Sequence, residues 1–149
     1  MRVSNLHIAP QHEPTSGLLT NLPMVKDKRG KLVFMEAGEQ VPFAIRRVFF
    51  LHDLAPGQER GHHAHRNCHE FLVVVAGALT IELDDGSRRW RRFLAERSEA
   101  VHIPPMNWIV LRDFDPDTVC MVLTSDRYDP KDYITDYQEF LNLRGNTGR

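Results

Sequence analysis

The sequence predicts an all-β domain that ends in one amphipathic helix. Short apolar or alternating runs, separated by Gly, Pro and Asp turns, follow one another from residue 33 to residue 125. Short strands at such regular spacing are typical of a sandwich or a barrel. Helical spacing of apolar residues appears only near the end of the chain, so the helix belongs at the C-terminus.

The strand predictions rest on apolar and β-branched content between turn signals. Asp84-Asp85-Gly86 is a hairpin turn, and Asp115-Pro116-Asp117 and Leu54-Ala55-Pro56-Gly57 are further turns. The predicted strands are Val33–Glu36, Ile45–His52, Glu70–Ala76, Ala78–Leu83, Arg88–Leu94, Ala100–Ile103, Trp108–Phe114 and Val119–Ser125.

The predicted helix covers Lys131 to Leu143, after Asp129-Pro130, because apolar residues recur there at helical spacing. With no repeat or linker in the sequence, we expect a single domain over residues 27–143. Residues 1–26 carry little patterning and are expected to form an N-terminal arm or an edge strand. Residues 144–149 are expected to be a flexible tail.

Composition excludes several classes of function. The chain has 149 residues, a formal net charge of -1 and a sequence pI of about 6.7, which gives no indication of nucleic-acid binding. It has no apolar stretch long enough to span a bilayer and no signal-peptide pattern, so we expect a cytoplasmic protein without a membrane partner. The spacing of Cys68 and Cys120 does not indicate a disulfide framework.

The polar residues with most chemical meaning are His63, His65 and Glu70, which lie between Gly57 and Gly77. Residues two apart in a strand point to the same face, so the two imidazoles converge. Glu70 begins the next apolar strand and can face the same space if the chain turns back between Arg66 and His69. Such a cluster suits either a metal site or an acid/base pair.

The spacing Gly57-x5-His63-x-His65-x4-Glu70-x6-Gly77 resembles the first signature of the cupin superfamily. The resemblance implies a single-domain RmlC-like jelly-roll barrel. Cupins often hold a divalent metal, and the ligands here would be His63, His65 and Glu70.

In cupins a second segment supplies a further metal ligand, and here that segment is Ala100–Leu111. The ligand would fall just after Trp108, where this chain has Ile109, which cannot bind a metal. His102 is left as a further candidate.

A more specific resemblance, collinear from about Asp27 to Phe140, is to the dTDP-sugar 3,4-ketoisomerases. It implies an isomerase that uses no metal or other cofactor and acts on a dTDP-linked 4-keto-6-deoxyhexose in deoxysugar biosynthesis. It also implies a homodimer with exchanged strands, in which the arm 1–26 would take part. The motifs that carry the resemblance are Pro42–Val48, Arg60–Arg66, Leu83–Gly86, Pro104–Trp108 and Tyr128–Tyr137.

The resemblance also implies roles for single residues. His63 would be the main base and acid for proton transfer through an enediol, and His65 would relay the proton or stabilise the enediolate. At most one of Arg46 and Arg47 can point inward, because neighbours in a strand face opposite ways. The substrate-binding residues implied are Arg60, Arg47, Glu70, Trp108 and His102.

The chain departs from the family's usual pattern around the expected pocket. The family usually has a glutamine where this chain has Glu70, and tyrosines where it has Phe49 and Phe50. The family also usually has a tyrosine near the position of His102 and a histidine where this chain has Ile109. Two alternatives therefore stay open. Glu70 favours a metal-dependent cupin enzyme, and the lost hydroxyls favour a non-catalytic cupin that binds a sugar nucleotide.

Overall fold

A computed structural model describes residues 18–146, which form two facing five-stranded antiparallel sheets and a C-terminal helix. The first sheet has the order β1-β9-β6-β11-β4 and the second the order β12-β5-β10-β7-β8, while β2 and β3 form a separate hairpin. The predicted all-β class with a C-terminal helix is confirmed. The strands are β1 Leu18–Asn21, β2 Met24–Asp27, β3 Gly30–Val33, β4 Arg47–Leu51, β5 Arg60–His65, β6 Glu70–Ala76, β7 Leu79–Asp84, β8 Arg89–Leu94, β9 Glu99–Ile103, β10 Trp108–Arg112, β11 Val119–Thr124 and β12 Tyr133–Ile134; the helix is α1 Tyr137–Asn146.

The space between the two sheets is filled by alternate side chains from both of them. Leu72 and Val74 of β6 point into it, and so do Ile81 and Leu83 of β7. We call this group the interior cluster. Its buried members are Leu72, Val74, Leu79, Ile81, Leu83, Trp90, Leu94, Val101, Ile103, Ile109, Leu111, Cys120 and Val122.

Both sheets are also covered on their outer faces, which explains why β6 is apolar along nearly its whole length. On the first sheet, Phe71, Val73 and Leu123 pack under the segment that carries Val41, Phe43 and Ile45. On the second sheet, Phe140 of α1 packs on an outer layer of Ala64, Trp108, Val110 and Ile134.

The C-terminal helix begins later than its predicted start at Lys131. Pro130–Asp132 is a turn of 3-10 helix, β12 follows it, and α1 runs from Tyr137 to Asn146. The apolar pair Tyr133 and Ile134 pairs with β5 instead of lying on a helix face. A carboxylate oxygen of Asp136 accepts from the backbone N–H of Glu139 and caps α1.

Within the described residues, the segment 1–26 contributes β1, an edge strand of the first sheet that pairs with β9 of its own chain, and β2, which pairs with β3. The edge strand is one of the two forms expected for this segment. The strand predicted at Val33–Glu36 lies earlier, at Gly30–Val33. The tail predicted over 144–149 is helical up to Asn146. Residues 1–17 and 147–149 lie outside the described range, and strand exchange stays a prediction.

Among residues 18–146, no helix combines the length and the apolar character that a membrane span requires.

The basic run Arg88–Arg92 is divided between the two faces of β8, as its alternation predicts. Arg89 and Arg91 pair with Asp84 and Glu82 on the outer face, and Trp90 enters the interior cluster.

A β-bulge in β5 decides which of its side chains face inward. Ile109 of β10 pairs with His63, but Val110 pairs with Gly61, so His62 is the extra residue. Gly61 has a φ of +90°, and a Cβ there would lie 2.6 Å from the carbonyl oxygen of Ile109. The bulge therefore requires glycine at position 61 for two reasons, the backbone conformation and the close approach of β10.

We predict that Gly61→Ala lowers the free energy of unfolding by about 3 kcal/mol, because it combines a left-handed backbone with a steric clash. The matched control is Gly57→Ala. Gly57 has a φ of +74°, and nothing lies within 4 Å of the place that an alanine methyl group would take, so this change costs about 1 kcal/mol. Urea unfolding of the two variants measures the difference, and equal losses would contradict the role given to the close approach.

Candidate active site

The side chains of His63, His65 and Glu70 meet at the interior face of the barrel. His63 and His65 lie on β5, and Glu70 begins β6 in the opposite sheet. The Nε2 atom of His65 lies 2.5 Å from Oε1 of Glu70, and the Nε2 atom of His63 lies 3.7 Å from the same oxygen. The predicted convergence of these three residues is therefore present in the structure.

His65 is held between two carboxylates. Its Nε2 faces Glu70, and its Nδ1 lies 2.9 Å from Oδ2 of Asp132. Burial lowers the pKa of His65, but the two carboxylates outweigh burial and raise the pKa above its ordinary value of 6.5. Since carboxylates only accept, a proton on each ring nitrogen satisfies both contacts, and this favours the imidazolium form.

The two carboxylates are stabilised in their charged forms by the same contacts. Burial raises the pKa of Glu70, but the neighbouring imidazoles of His63 and His65 lower it to about 2. Burial likewise raises the pKa of Asp132, and hydrogen bonds from the backbone N–H groups of Asn67 and Cys68 and from His65 bring it below the usual range. Asp132, His65 and Glu70 thus form one buried chain of alternating charge.

His63 has a different environment from His65. Its Nδ1 lies 3.1 Å from the carbonyl oxygen of Gly61, which can only accept, so Nδ1 carries the hydrogen of the neutral ring. Its Nε2 is buried and lies 3.7 Å from Oε1 of Glu70, which is beyond hydrogen-bond distance. The neutral ring therefore keeps an unshared electron pair on Nε2, beside the Glu70 carboxylate, and this is the arrangement of a general base.

Two further residues complete the site at the edge strands of the two sheets. Arg47 of β4 donates from Nη2 to the hydroxyl of Tyr133 in β12, at 3.2 Å. The Tyr133 ring lies against both imidazoles, with centroid distances of 4.4 Å to His65 and 5.1 Å to His63. Arg46 is exposed, so Arg47 is the one of the two arginines that faces the site.

Arg60 is brought to the interior face by the bulge. It pairs with Leu111, a member of the interior cluster, and cross-strand partners share a face. Without the extra residue at His62, the alternation from His63 would turn Arg60 outward. Arg60 is exposed at the start of β5, on the same face as the two histidines, where a charged substrate group could reach it.

The structure separates His102 from this cluster. Its β9 neighbours Val101 and Ile103 point into the barrel, so His102 points to the outer face of the first sheet. There it stacks on His69 with ring centroids 5.3 Å apart, and burial together with His69 lowers the pKa of His102 to about 4. The predicted substrate contact at His102 therefore has no support from its position within one chain.

Trp108 also lies away from the histidines, on the outer face of the second sheet. It packs against Tyr137 and Phe140 of α1 and borders a cleft of about 590 Å³ between that sheet and the helix. The residue that faces His63 is its neighbour Ile109, which is the cross-strand partner of His63 in the interior cluster. The predicted substrate contact at Trp108 is likewise unsupported by its position.

The same donor atoms could also hold a cation. One ligand atom from each of His63, His65 and Glu70 lies within 4.8 Å of the others, and His65, Cys68 and Asp132 form a second such group. Both groups need a nitrogen of His65 that is not protonated. With carboxylates at both of its nitrogens, His65 is set up for a proton at each of them, which makes acid/base chemistry the better fit.

Two site residues, Asp132 and Tyr133, received no site role from the sequence. Both lie in the segment that the sequence predicts as a helix, Lys131 to Leu143. The signal that could have found them is the motif Tyr128–Tyr137, which carries the family resemblance and supplies both side chains.

The fold and the paired histidines with their glutamate define a cupin-like barrel, and comparisons with known proteins specify the family. Residues 16–145 match the family model described as FdtA: WxcM-like, C-terminal. The chain belongs to this family, and the resemblance inferred from its motifs is confirmed.

Relatives of known activity cover most of the chain. The TDP-4-oxo-6-deoxy-alpha-D-glucose-3,4-oxoisomerase of Aneurinibacillus thermoaerophilus is 37% identical over 120 residues, which are 80% of this chain and 86% of that protein. The structure of the WlaRB TDP-quinovose 3,4-ketoisomerase of Campylobacter jejuni is 33% identical, with a TM-score of 0.83 over 87% of this chain and 99% of that one. The structure of QdtA from Thermoanaerobacterium thermosaccharolyticum in complex with TDP has a TM-score of 0.87 at 27% identity, over 91% and 98% of the chains.

We predict that Glu70→Gln makes the protein less sensitive to acid. The folded-state pKa of Glu70, about 2, is below its ordinary value of 4.5, so its stabilisation is present above pH 4.5 and is lost as the pH falls toward 2. Between pH 5 and pH 3, the wild type should lose about 2 kcal/mol more unfolding free energy than the variant. Urea unfolding across this range measures the difference. The exposed Glu96→Gln should follow the wild type, and parallel losses in all three proteins would disprove the buried charge at Glu70.

Proposed function

We propose that this chain is a 3,4-ketoisomerase, which shifts the ketone between C4 and C3 of a TDP-linked 6-deoxy-4-keto-hexose. Its family, a 37% identical oxoisomerase and similarly folded ketoisomerases support the reaction. A variant of QdtA that has been solved with TDP-4-keto-6-deoxyglucose, at 27% identity and a TM-score of 0.87, supports the class of substrate. The reaction would belong to the biosynthesis of deoxysugars.

The observation that carries the mechanism is the unpartnered Nε2 of His63. Moving a ketone from C4 to C3 begins with removal of the proton on C3, which the neighbouring carbonyl makes acidic. A neutral imidazole with one bare nitrogen is suited to accept that proton near neutral pH. The nearby Glu70 carboxylate, 3.7 Å from this nitrogen, would stabilise the imidazolium that results.

His65 has the charge that an enediolate needs. An imidazolium fixed between Glu70 and Asp132 is a positive group that needs no reorganisation when negative charge appears on the sugar. Because its position is set by two carboxylates, His65 acts here as an electrostatic stabiliser of the enediolate. Of the two roles that the resemblance implied for His65, this arrangement supports the stabiliser of the enediolate.

Two arginines are suited to the charged part of the substrate. Arg60 is exposed on the same face as the histidines, and a guanidinium can form two parallel hydrogen bonds to phosphate oxygens. The Nε atom of Arg47 is buried and has no hydrogen-bond partner. In this proposal it donates to an oxygen of the substrate. Glu70 contributes by holding His65, since a carboxylate does not attract a diphosphate.

Of the two alternatives, the metal-dependent enzyme is supported only by the group of His63, His65 and Glu70. The non-catalytic binding protein is supported by the phenylalanines at positions 49 and 50. An oxoisomerase at 37% identity over 80% of the chain favours the isomerase over both.

We also infer that the protein is a homodimer. The edge strand β4 exposes Val48 and Phe50 on its outer face, and the hairpin of β2 and β3 exposes Met24, Val25 and Leu32. Exposed apolar residues on an edge strand and on a hairpin favour association with a second copy.

We predict that sedimentation of the wild type gives a mass of twice the 17.2 kDa chain and that Phe50→Lys shifts the protein toward the monomer. A lysine at this position would place a charge in the apolar contact. Phe93→Lys, at an equally exposed phenylalanine on β8 of the other sheet, is the control and should stay dimeric. A monomeric wild type at micromolar concentration would contradict the inference.

We predict that His63→Asn abolishes deuterium exchange at C3 of TDP-4-keto-6-deoxyglucose in D₂O, with a loss of at least about 100-fold, because the general base is removed. Proton NMR follows the exchange, and urea unfolding checks the fold. His62→Asn is the matched control, since His62 is exposed and pairs with Glu59. Absence of exchange in a folded wild type would overturn the proposed function.

A further inference from the structure

The reaction needs a proton at C4 as well as a base at C3. His65 is poorly placed to supply that proton, because both of its nitrogens face carboxylates that hold its hydrogens. His63 has one free nitrogen, which is occupied once it has taken the proton from C3. A second group with a transferable hydrogen at the same face would allow one residue to remove the proton from C3 and another to deliver a proton to C4.

Tyr133 is positioned at that face. It is the cross-strand partner of His65 in the pairing of β12 with β5, so the two side chains share the interior side. Its ring contacts both imidazoles, and Tyr128 packs on its other side with centroids 5.7 Å apart. These contacts fix the ring, and with it the direction in which the hydroxyl points.

The hydrogen bond with Arg47 leaves the phenolic hydrogen available. Arg47 donates to the oxygen of Tyr133, so the bond uses an oxygen lone pair and not the O–H group. Among the hydrogen bonds within residues 18–146, none has the Tyr133 hydroxyl as donor. The guanidinium, which also lies 4.9 Å from the Phe49 ring centroid, would stabilise the phenolate that remains after the proton has left.

We propose that Tyr133 is a catalytic residue that delivers the proton to C4, with Arg47 positioning its hydroxyl. The assignment rests on the proposed function. His63 takes the C3 proton, the C3–C4 double bond forms, and the C4 carbonyl electrons move to O4. The hydroxyl proton of O3 then passes to O4, the C3 carbonyl forms, and the electron pair of the double bond takes the phenolic proton at C4. The proton on His63 returns to the Tyr133 phenolate through water, which restores both groups.

The first test compares Tyr133→Phe with the wild type on TDP-4-keto-6-deoxyglucose in D₂O. The variant keeps the ring that packs on the histidines and loses only the hydroxyl. We expect exchange at C3 to stay within about threefold of the wild type, while formation of the 3-keto sugar falls by about 100-fold or more. Tyr137→Phe is the control, because its hydroxyl donates to Asp84 on the outer face of the second sheet, away from the histidines, and it should leave both rates unchanged.

The second test uses the unaltered protein and so does not depend on how a variant folds. Substrate that carries deuterium at C3 is converted in H₂O, and the product is analysed for deuterium at C4. Delivery by Tyr133 predicts that C4 carries hydrogen from the solvent pool. Deuterium transferred from C3 to C4 would show that His63 serves both carbons and would overturn the proposal.

The outcomes separate this inference from the proposed function. Exchange and isomerisation in the wild type, both undiminished in Tyr133→Phe, would overturn the role of Tyr133 and leave the ketoisomerase intact. Loss of C3 exchange together with isomerisation in a folded Tyr133→Phe would also overturn it, because the hydroxyl would then be needed before C4 is protonated. A folded wild type with neither activity would refute both.

Discussion

The site depends on one buried chain of charges, in which His65 lies between Asp132 and Glu70. Removing any member leaves an uncompensated charge in a place with little water, so each member stabilises the charged form of its neighbour. This constraint connects three separate parts of the chain: β5, the start of β6 and the turn before β12. It also distinguishes the two histidines, since carboxylates lie close to both nitrogens of His65, whereas the Nε2 of His63 lies 3.7 Å from Glu70.

The barrel makes this cluster reachable because its two sheets end in edge strands on the same side. β4 ends the first sheet and β12 ends the second, and the bond from Arg47 to Tyr133 joins them. Polar groups at such an edge can contact a ligand without disrupting the apolar packing of the interior cluster. The bulge at His62 extends the same face to Arg60, so Arg60 and the two histidines lie on one face of the same strand.

The parts of the fold that could be predicted are those set by local pattern. Alternation and turn residues located most strands of both sheets, and the split of Arg88–Arg92 between two faces followed from period two alone. The helix start was misplaced because Tyr133 and Ile134 have helical spacing with later apolar residues, while pairing with β5 satisfies their backbone groups. His102 and Trp108 were grouped with the site because the family resemblance implied it, although strand parity turns both to outer faces.

The sequence by itself determined the all-β class through short-range periodicity and the meeting of His63, His65 and Glu70 through their spacing. It indicated the family through the resemblance of its motifs. Only the tertiary structure decided the partners of those residues. Asp132 and Tyr133 come from a segment more than sixty residues away, and strand pairing, which has no local code, brings them to the histidines. The inward position of Arg60 likewise depends on one extra residue in a ladder, because a shift of one residue reverses the face of a side chain.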